Sequence, residues 1–229
     1  MTEDDDRAAR SAVVTDWRYS PTDSAHARQR TQEGVYYLER ERVAHVGGQV
    51  EVRDLFTASE TGLARKEARD LLWENKGPLV NFHRYILSPR TTLELDTVEE
   101  LQRWTRDTMD AYGQRLGLRL EYVAAVHGNV WHPHVHVMIA GSAIAPATGK
   151  RKGVRIKRTD NVALRAIARA AAATITAPKI AARDAARQRD MAALVERSRS
   201  RQQTTDASSV STKEQPRESL IGRLFGRDR

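Results

Sequence analysis

Four of the seven histidines fall between positions 127 and 136, in the run His127-Gly-Asn-Val-Trp-His-Pro-His-Val-His136. On a strand, side chains two apart project to the same side about 6.6 Å apart, so His134 and His136 point together while Val135, Val137 and Ile139 face the other way into a core. Folding the residues between positions 127 and 134 symmetrically sets His127 opposite His134 on a neighbouring strand, with Cβ atoms about 5 Å apart. Three imidazoles then converge on one point. A single metal ion with nitrogen bonds of about 2.1 Å fits such a cluster, and three protein ligands leave coordination positions open for a substrate. The chain has no cysteine, which excludes disulfides, thiolate-ligated zinc and a Cys nucleophile. A lone histidine in a strand is usually a packed or surface residue, but three at i, i+7 and i+9 across a hairpin are not explained that way. A closed structural zinc site needs a fourth ligand, and only His132 is close by.

The elements that must position these residues are legible as patterns. Ser11 to Ser20 reads as a strand and Ser24 to Glu41 as a helix interrupted by Gly34. Gly47-Gly48 suits the tight turn of a short hairpin between Val43–Val46 and Val50–Val52. Leu63 to Asn75 reads as a helix and Leu79 to Leu87 as a strand ended by Ser88-Pro89. Asp96 or Thr97, each with a Glu three residues on, opens a capped helix whose apolar face is Leu101, Trp104, Thr108, Tyr112 and Leu116, until Gly117 stops it. Leu118 to His127 and His134 to Gly141 read as two strands, Gly153 to Lys157 as another, and Asn161 to Arg201 as an Ala- and Arg-rich helix broken around Pro178. This order predicts an α+β fold, an antiparallel sheet with helices packed on one face, followed by a C-terminal helical basic extension. There is no internal repeat.

Composition bounds the rest. With 229 residues, 40% hydrophobic and 6% aromatic, the chain suits one modest domain with polar extensions: an acidic, disordered 1–10, a catalytic domain over 11–160, a helical 161–201 and a disordered basic tail over 202–229. Net charge is +8, yet residues 1–141 carry 18 basic and 22 acidic side chains while residues 142–229 carry 20 and 8. A basic arm of this kind suits a polyanion, and its Arg content favours bidentate phosphate contact. No signal peptide and no apolar run of membrane-spanning length is visible, so the expectation is a cytoplasmic protein with no membrane partner.

A cupin-like metal enzyme also uses His-x-His on a strand, but it places a Glu and a further His downstream, and no histidine follows His136. The run from His127 to His136 resembles instead the metal-binding signature of the HUH endonucleases, in which two histidines flank a hydrophobic residue, here Val135. With a preceding His seven residues before the pair and a His-Pro-His-x-His ending, it resembles the relaxases, the mobilisation nucleases of conjugative and mobilisable plasmids. The strand Asn81 to Pro89, ending in Ser-Pro, and the helix and strand leading into the histidines are similar too. The resemblance covers roughly residues 11–160 and implies a nucleophilic tyrosine. All six tyrosines precede the histidines. Rolling-circle initiators carry theirs downstream and relaxases near the N-terminus, so the order favours a relaxase. Tyr37, in Val35-Tyr-Tyr-Leu-Glu-Arg40, best matches the family's pattern, and Tyr36 is the second candidate, pointing about 100° away on a helix. Where many relaxases have an Asp two residues after the first ligand His, this chain has Asn129, which removes a carboxylate partner for an imidazole.

The family implies a divalent metal ion, Mg or Mn, held by His127, His134 and His136; imidazole also suits Zn, Ni or Co. It implies nicking of single-stranded DNA at an origin of transfer through a 5′-phosphotyrosyl intermediate. Arg40, Arg84, Arg90, His132, Arg151, Lys152 and Arg155 are the candidate DNA contacts, and accessory mobilisation or coupling proteins are the implied partners, because the chain has no Walker motif. The alternatives are a rolling-circle replication initiator or transposase with the same chemistry, or a non-catalytic DNA-binding protein of this fold.

Overall fold

The computed structural model describes residues 13–22, 25–40, 54–89, 95–127 and 133–211. The acidic 1–10, the Gly47-Gly48 hairpin, Arg90, Asn129, His132 and positions 212–229 lie outside the described residues. In chain order the elements are β1 (Val13–Pro21), α1 (Ala27–Glu39), β2 (Leu55–Phe56), β3 (Thr61–Leu63), α2 (Arg65–Glu74), β4 (Val80–Pro89), α3 (Val98–Leu116), β5 (Tyr122–His127), β6 (His134–Ala140), β7 (Ser142–Ala145), β8 (Lys150–Gly153) and α4 (Arg158–Ser211). Six strands form one antiparallel sheet in the order β1-β4-β6-β5-β2-β3, and β7 pairs with β8 in a second.

The α+β class, the antiparallel sheet and the C-terminal helix agree with the sequence. The placement of helices on a single face does not. Strands β5 and β6 are buried along almost their whole length, so both faces need cover. On one, Tyr85, Leu87, Val135, Val137 and Ile139 pack under Trp104 and Tyr112 of α3 and Leu164 and Ala168 of α4. On the other, Phe82, Ala125, Met138 and Ala140 pack under Val35 and Leu38 of α1 and Ala68 and Leu72 of α2. The two faces follow strand parity, even positions of β6 going to α1 and α2.

Local signals set several boundaries. Thr97 caps α3: its hydroxyl accepts from the Glu100 amide at 3.1 Å while the Glu100 carboxylate accepts from the Thr97 amide at 3.3 Å. Gly117, at φ 67°, ends the helix in the left-handed conformation glycine tolerates. Other expectations differ. The strand expected from Leu118 begins only at Tyr122, because Arg119 instead donates its amide to the Ile144 carbonyl at 2.7 Å. The strand expected at Gly153–Lys157 is instead β8, turned back on β7 through Gly149 at φ 65°. Helix α4 continues past Pro178 and through 202–211: a proline removes one donor, a local cost that good helix formers such as the Ala-rich flanks offset. Its beginning is tied to α3 by the Trp104 indole, which donates to the Ala168 carbonyl at 2.7 Å. The chain divides into two compact units, Met1–Pro178 and Lys179–Arg229, and the sheet belongs to the first.

Gly77 and Gly141 lie where backbones touch: a Cβ on Gly141 would stand 1.7 Å from the Val80 carbonyl oxygen, and one on Gly77 would stand 2.1 Å from the Gly141 oxygen. Neither obstacle is a side chain that can swing away. Gly141→Ala is therefore expected to cost about 3 kcal/mol or more, lowering the thermal midpoint by roughly 10 °C. Thermal denaturation followed by circular dichroism checks this; an unchanged midpoint would mean the strand connection yields without cost.

Candidate metal centre and its tyrosine

Register brings the three histidines together. β5 and β6 pair with His127 opposite His134 and Ala125 opposite His136, so all three imidazoles lie on the sheet face covered by α1 and α2. The Nε2 atoms of His134 and His136 are 3.1 Å apart. Ring centroids are 4.3 Å apart for His127 and His136, and 5.0 Å for His127 and His134. One ligand nitrogen from each ring lies within 4.8 Å of the others. Two nitrogens bound to one cation at about 2.1 Å stand about 3.0 to 3.4 Å apart in octahedral or tetrahedral geometry, so the donor set fits a single divalent ion with slight closure at His127. His127 and His136 are buried and His134 half-buried, which leaves the outer side of the cluster as the one a substrate can reach.

Helix α1 supplies the neighbour. Ala27, Thr31, Val35 and Leu38 form its buried stripe, and the Asn81 amide of β4 donates to the Ala27 carbonyl at 2.9 Å and the Thr31 hydroxyl at 2.8 Å, pinning the helix to the sheet. Gly34 lets it come close, since a Cβ there would meet the Met138 methyl at 2.7 Å. This docking sets Tyr37 edge-on to His136, with ring centroids 5.3 Å apart at 85°, its ring 47% exposed. The His127 Nε2–H donates to the Leu38 carbonyl at 3.2 Å. A carbonyl can only accept, so in this arrangement Nδ1 is the His127 nitrogen that carries the lone pair. One hydrogen bond thus links the tyrosine's helix to the cluster.

Tyr36, 38% exposed, faces elsewhere. Its ring lies under the Arg40 guanidinium at 4.4 Å and the Arg65 guanidinium at 5.1 Å, and Arg65 pairs with Glu39. Tyr85, Tyr112 and Tyr122 are core residues; burial raises all three phenols, that of Tyr112 to about 12. They make poor nucleophiles at neutral pH.

Among the expected DNA contacts, Arg84 stands with its guanidinium 5.8 Å from the Tyr37 ring centre, and Arg40 caps α1 beside Tyr36. Arg151 and Lys152 are not brought to the cluster. They lie on β8, beyond the Ala140 end of β6, while His134 begins that strand roughly 20 Å away. Arg155 lines a pocket on the opposite face of the sheet. Arg18, Tyr19 and Arg30 escape the sequence reading: with Arg84, Phe82 and Tyr37 they line a groove of about 530 Å³. The alternation of aromatic, Arg and aromatic at Trp17-Arg-Tyr19 on an edge strand was the available signal.

No protein-family model and no curated protein matches the chain. Similar solved structures include three of one conjugative relaxase. The conjugative relaxase TrwC in complex with origin-of-transfer DNA is 12% identical in its metal-free form (TM-score 0.42) and 11% identical in its metal-bound form (TM-score 0.43). TrwC bound to a 27-mer DNA comprising the recognition hairpin and cleavage site is 11% identical (TM-score 0.43). Each comparison covers 70% of this chain and 68% of the other. At that identity and overlap, the chemistry of the site rests on its own residues. Among the described residues, no helix is long and apolar enough to cross a membrane.

Proposed function

We propose that this protein is a relaxase-like transesterase that nicks single-stranded DNA at an origin of transfer and holds the cut end on Tyr37. The observation that carries the reading is the exposed Tyr37 ring set edge-on, 5.3 Å away, against one of three converging imidazoles. His127, His134 and His136 would hold the metal; Mg or Mn are the family's ions, while imidazole nitrogen by its own chemistry suits Zn, Ni or Co. When bound, the cation supplies positive charge that polarises the scissile phosphate.

The Tyr37 phenolic oxygen attacks phosphorus in line, forming the Tyr Oη–P bond as the P–O3′ bond breaks. The phenolic proton passes to solvent, to which Tyr37 is open, and the departing 3′ oxygen is protonated to a hydroxyl. Because the phosphodiester energy is kept in the phosphotyrosyl link, the same 3′-hydroxyl can attack it and reseal the strand. Arg84, beside the Tyr37 ring, draws the backbone phosphates toward the hydroxyl.

The test is incubation of the purified protein with Mn or Mg and a labelled single-stranded oligonucleotide spanning the origin of transfer of its genetic element, followed by a denaturing gel for a protein–DNA adduct. Tyr36→Phe is expected to keep the adduct yield within about threefold of wild type, since the Tyr36 ring stacks with Arg40 and Arg65 and its hydroxyl has no part in the transfer. An adduct lost with Tyr36→Phe would move the nucleophile one residue and undo the assignment of Tyr37.

A further inference from the structure

The edge strand β1 carries two kinds of side chain on two faces. Arg18 pairs across from Arg84 and faces the histidine side, whereas Trp17 and Tyr19 pair across from Tyr85 and His83 and face the other. On that second face Trp17, Tyr19, Leu79, His83, Val154 and Arg155 line a pocket of about 320 Å³. Its wall is held rigid. The Trp17 indole donates to His83 Nδ1 at 3.3 Å, and the rings stack at 6.0 Å and 23°. His83 Nε2–H in turn donates to the Val154 carbonyl at 3.1 Å, so both ring nitrogens of a 2% exposed histidine are used. Burial lowers its pKa, in keeping with a neutral ring.

Tyr19 joins this pocket to the tyrosine groove. It is 59% exposed, its ring lies 6.0 Å from Trp17 at 31°, and it lines both the pocket and the groove that holds Tyr37. Arg18, Arg30 and Arg84 outnumber Glu33 in the groove, and Arg155 stands at the pocket. A run of cations interleaved with flat rings suits a polyanion whose repeating units carry aromatic faces. An aliphatic ligand would use the apolar wall but leave the guanidinium groups without a role. Among the described residues no further strand covers β1, so a flexible chain can pass round the sheet edge at Tyr19.

We propose that the Trp17–His83 pocket is a nucleobase-stacking subsite for single-stranded DNA, reached from the Tyr37 groove across Tyr19. This rests on the DNA-nicking reading for the path of the strand but concerns binding, which is measured separately from the chemistry. The experiment is fluorescence anisotropy of labelled dT12 with the full-length protein in the presence of a chelator, beside a gel assay for the phosphotyrosyl adduct. Two variants at exposed positions keep folding out of the result: Tyr19→Ala, and Leu79→Glu, which sets a carboxylate at the mouth of the pocket alone (Leu79 is 67% exposed). Dissociation constants are expected to rise about tenfold for Tyr19→Ala and about fivefold for Leu79→Glu, in line with the loss of one stacked base. Wild-type affinity in Leu79→Glu overturns the subsite, whatever Tyr19→Ala does, because the strand would then end in the groove. Weaker binding by both variants with no adduct from the wild-type protein would uphold the subsite and sink the nicking reading. A wild-type protein that binds no dT12 overturns both.

Discussion

Replacing Tyr37 by Phe is expected to abolish the covalent protein–DNA adduct, a fall on the order of a thousandfold or more in transfer rate, while leaving single-stranded DNA affinity within about threefold. The substitution removes one oxygen and nothing else of consequence. Phe keeps the aromatic edge against His136, and a hydroxyl on a ring that is 47% exposed contributes little to folding, about 0.5 kcal/mol or less. A merely structural role would thus show as a small shift in thermal midpoint with adduct yield preserved. A nucleophile shows the reverse. Among the remaining tyrosines, Tyr36 is held among Arg40 and Arg65, and Tyr85, Tyr112 and Tyr122 are buried. Tyr19, although exposed at the rim of the same groove, pairs across from His83 on the sheet face opposite the three histidines. Full adduct yield from the Phe variant in a denaturing gel would end the assignment.

The second large effect is expected at the metal. His134 is the most exposed of the three imidazoles, so His134→Ala removes a ligand with the least damage to packing. With two nitrogens left, cation affinity falls steeply and the adduct yield is expected to drop about a hundredfold, recovering in part with excess Mn. A readout independent of activity is available. A ligand that binds only the folded state at a hundred times its dissociation constant adds about 2.7 kcal/mol, which for a chain of this size raises the thermal midpoint by roughly 5 to 10 °C. The wild-type protein should show that rise with Mn or Zn and lose it on chelation; His134→Ala should not show it at the same concentration. An equal rise in both would place the cation elsewhere.

The histidine cluster was legible because its geometry is nearly local. A period of two puts His134 and His136 on one face, and a short connection dictates that His127 stands opposite His134, as the strand pairing bears out. The capped start and glycine stop of α3 were equally local. The strand expected from Leu118 starts late because Arg119 bridges to Ile144 of β7, far along the chain, and the strand expected from Gly153 lies earlier because Lys150–Gly153 close a tight hairpin on β7.

By itself, then, the order of residues determined the α+β class, the three imidazoles on one side of a hairpin, and the absence of any thiol chemistry. Only the tertiary structure decided which tyrosine meets them. Tyr36 and Tyr37 are equivalent in composition and both exposed on one helix; their difference arises from how α1 rolls onto the sheet, with Val35 and Leu38 buried, Gly34 against Met138 and Asn81 holding the first turn. The covering of both sheet faces and the meeting of Trp17 with His83, 66 positions apart, likewise depend on long-range packing. Periodicity along a chain specifies directions within an element, whereas distances between elements are set by the volumes that interlock where they touch.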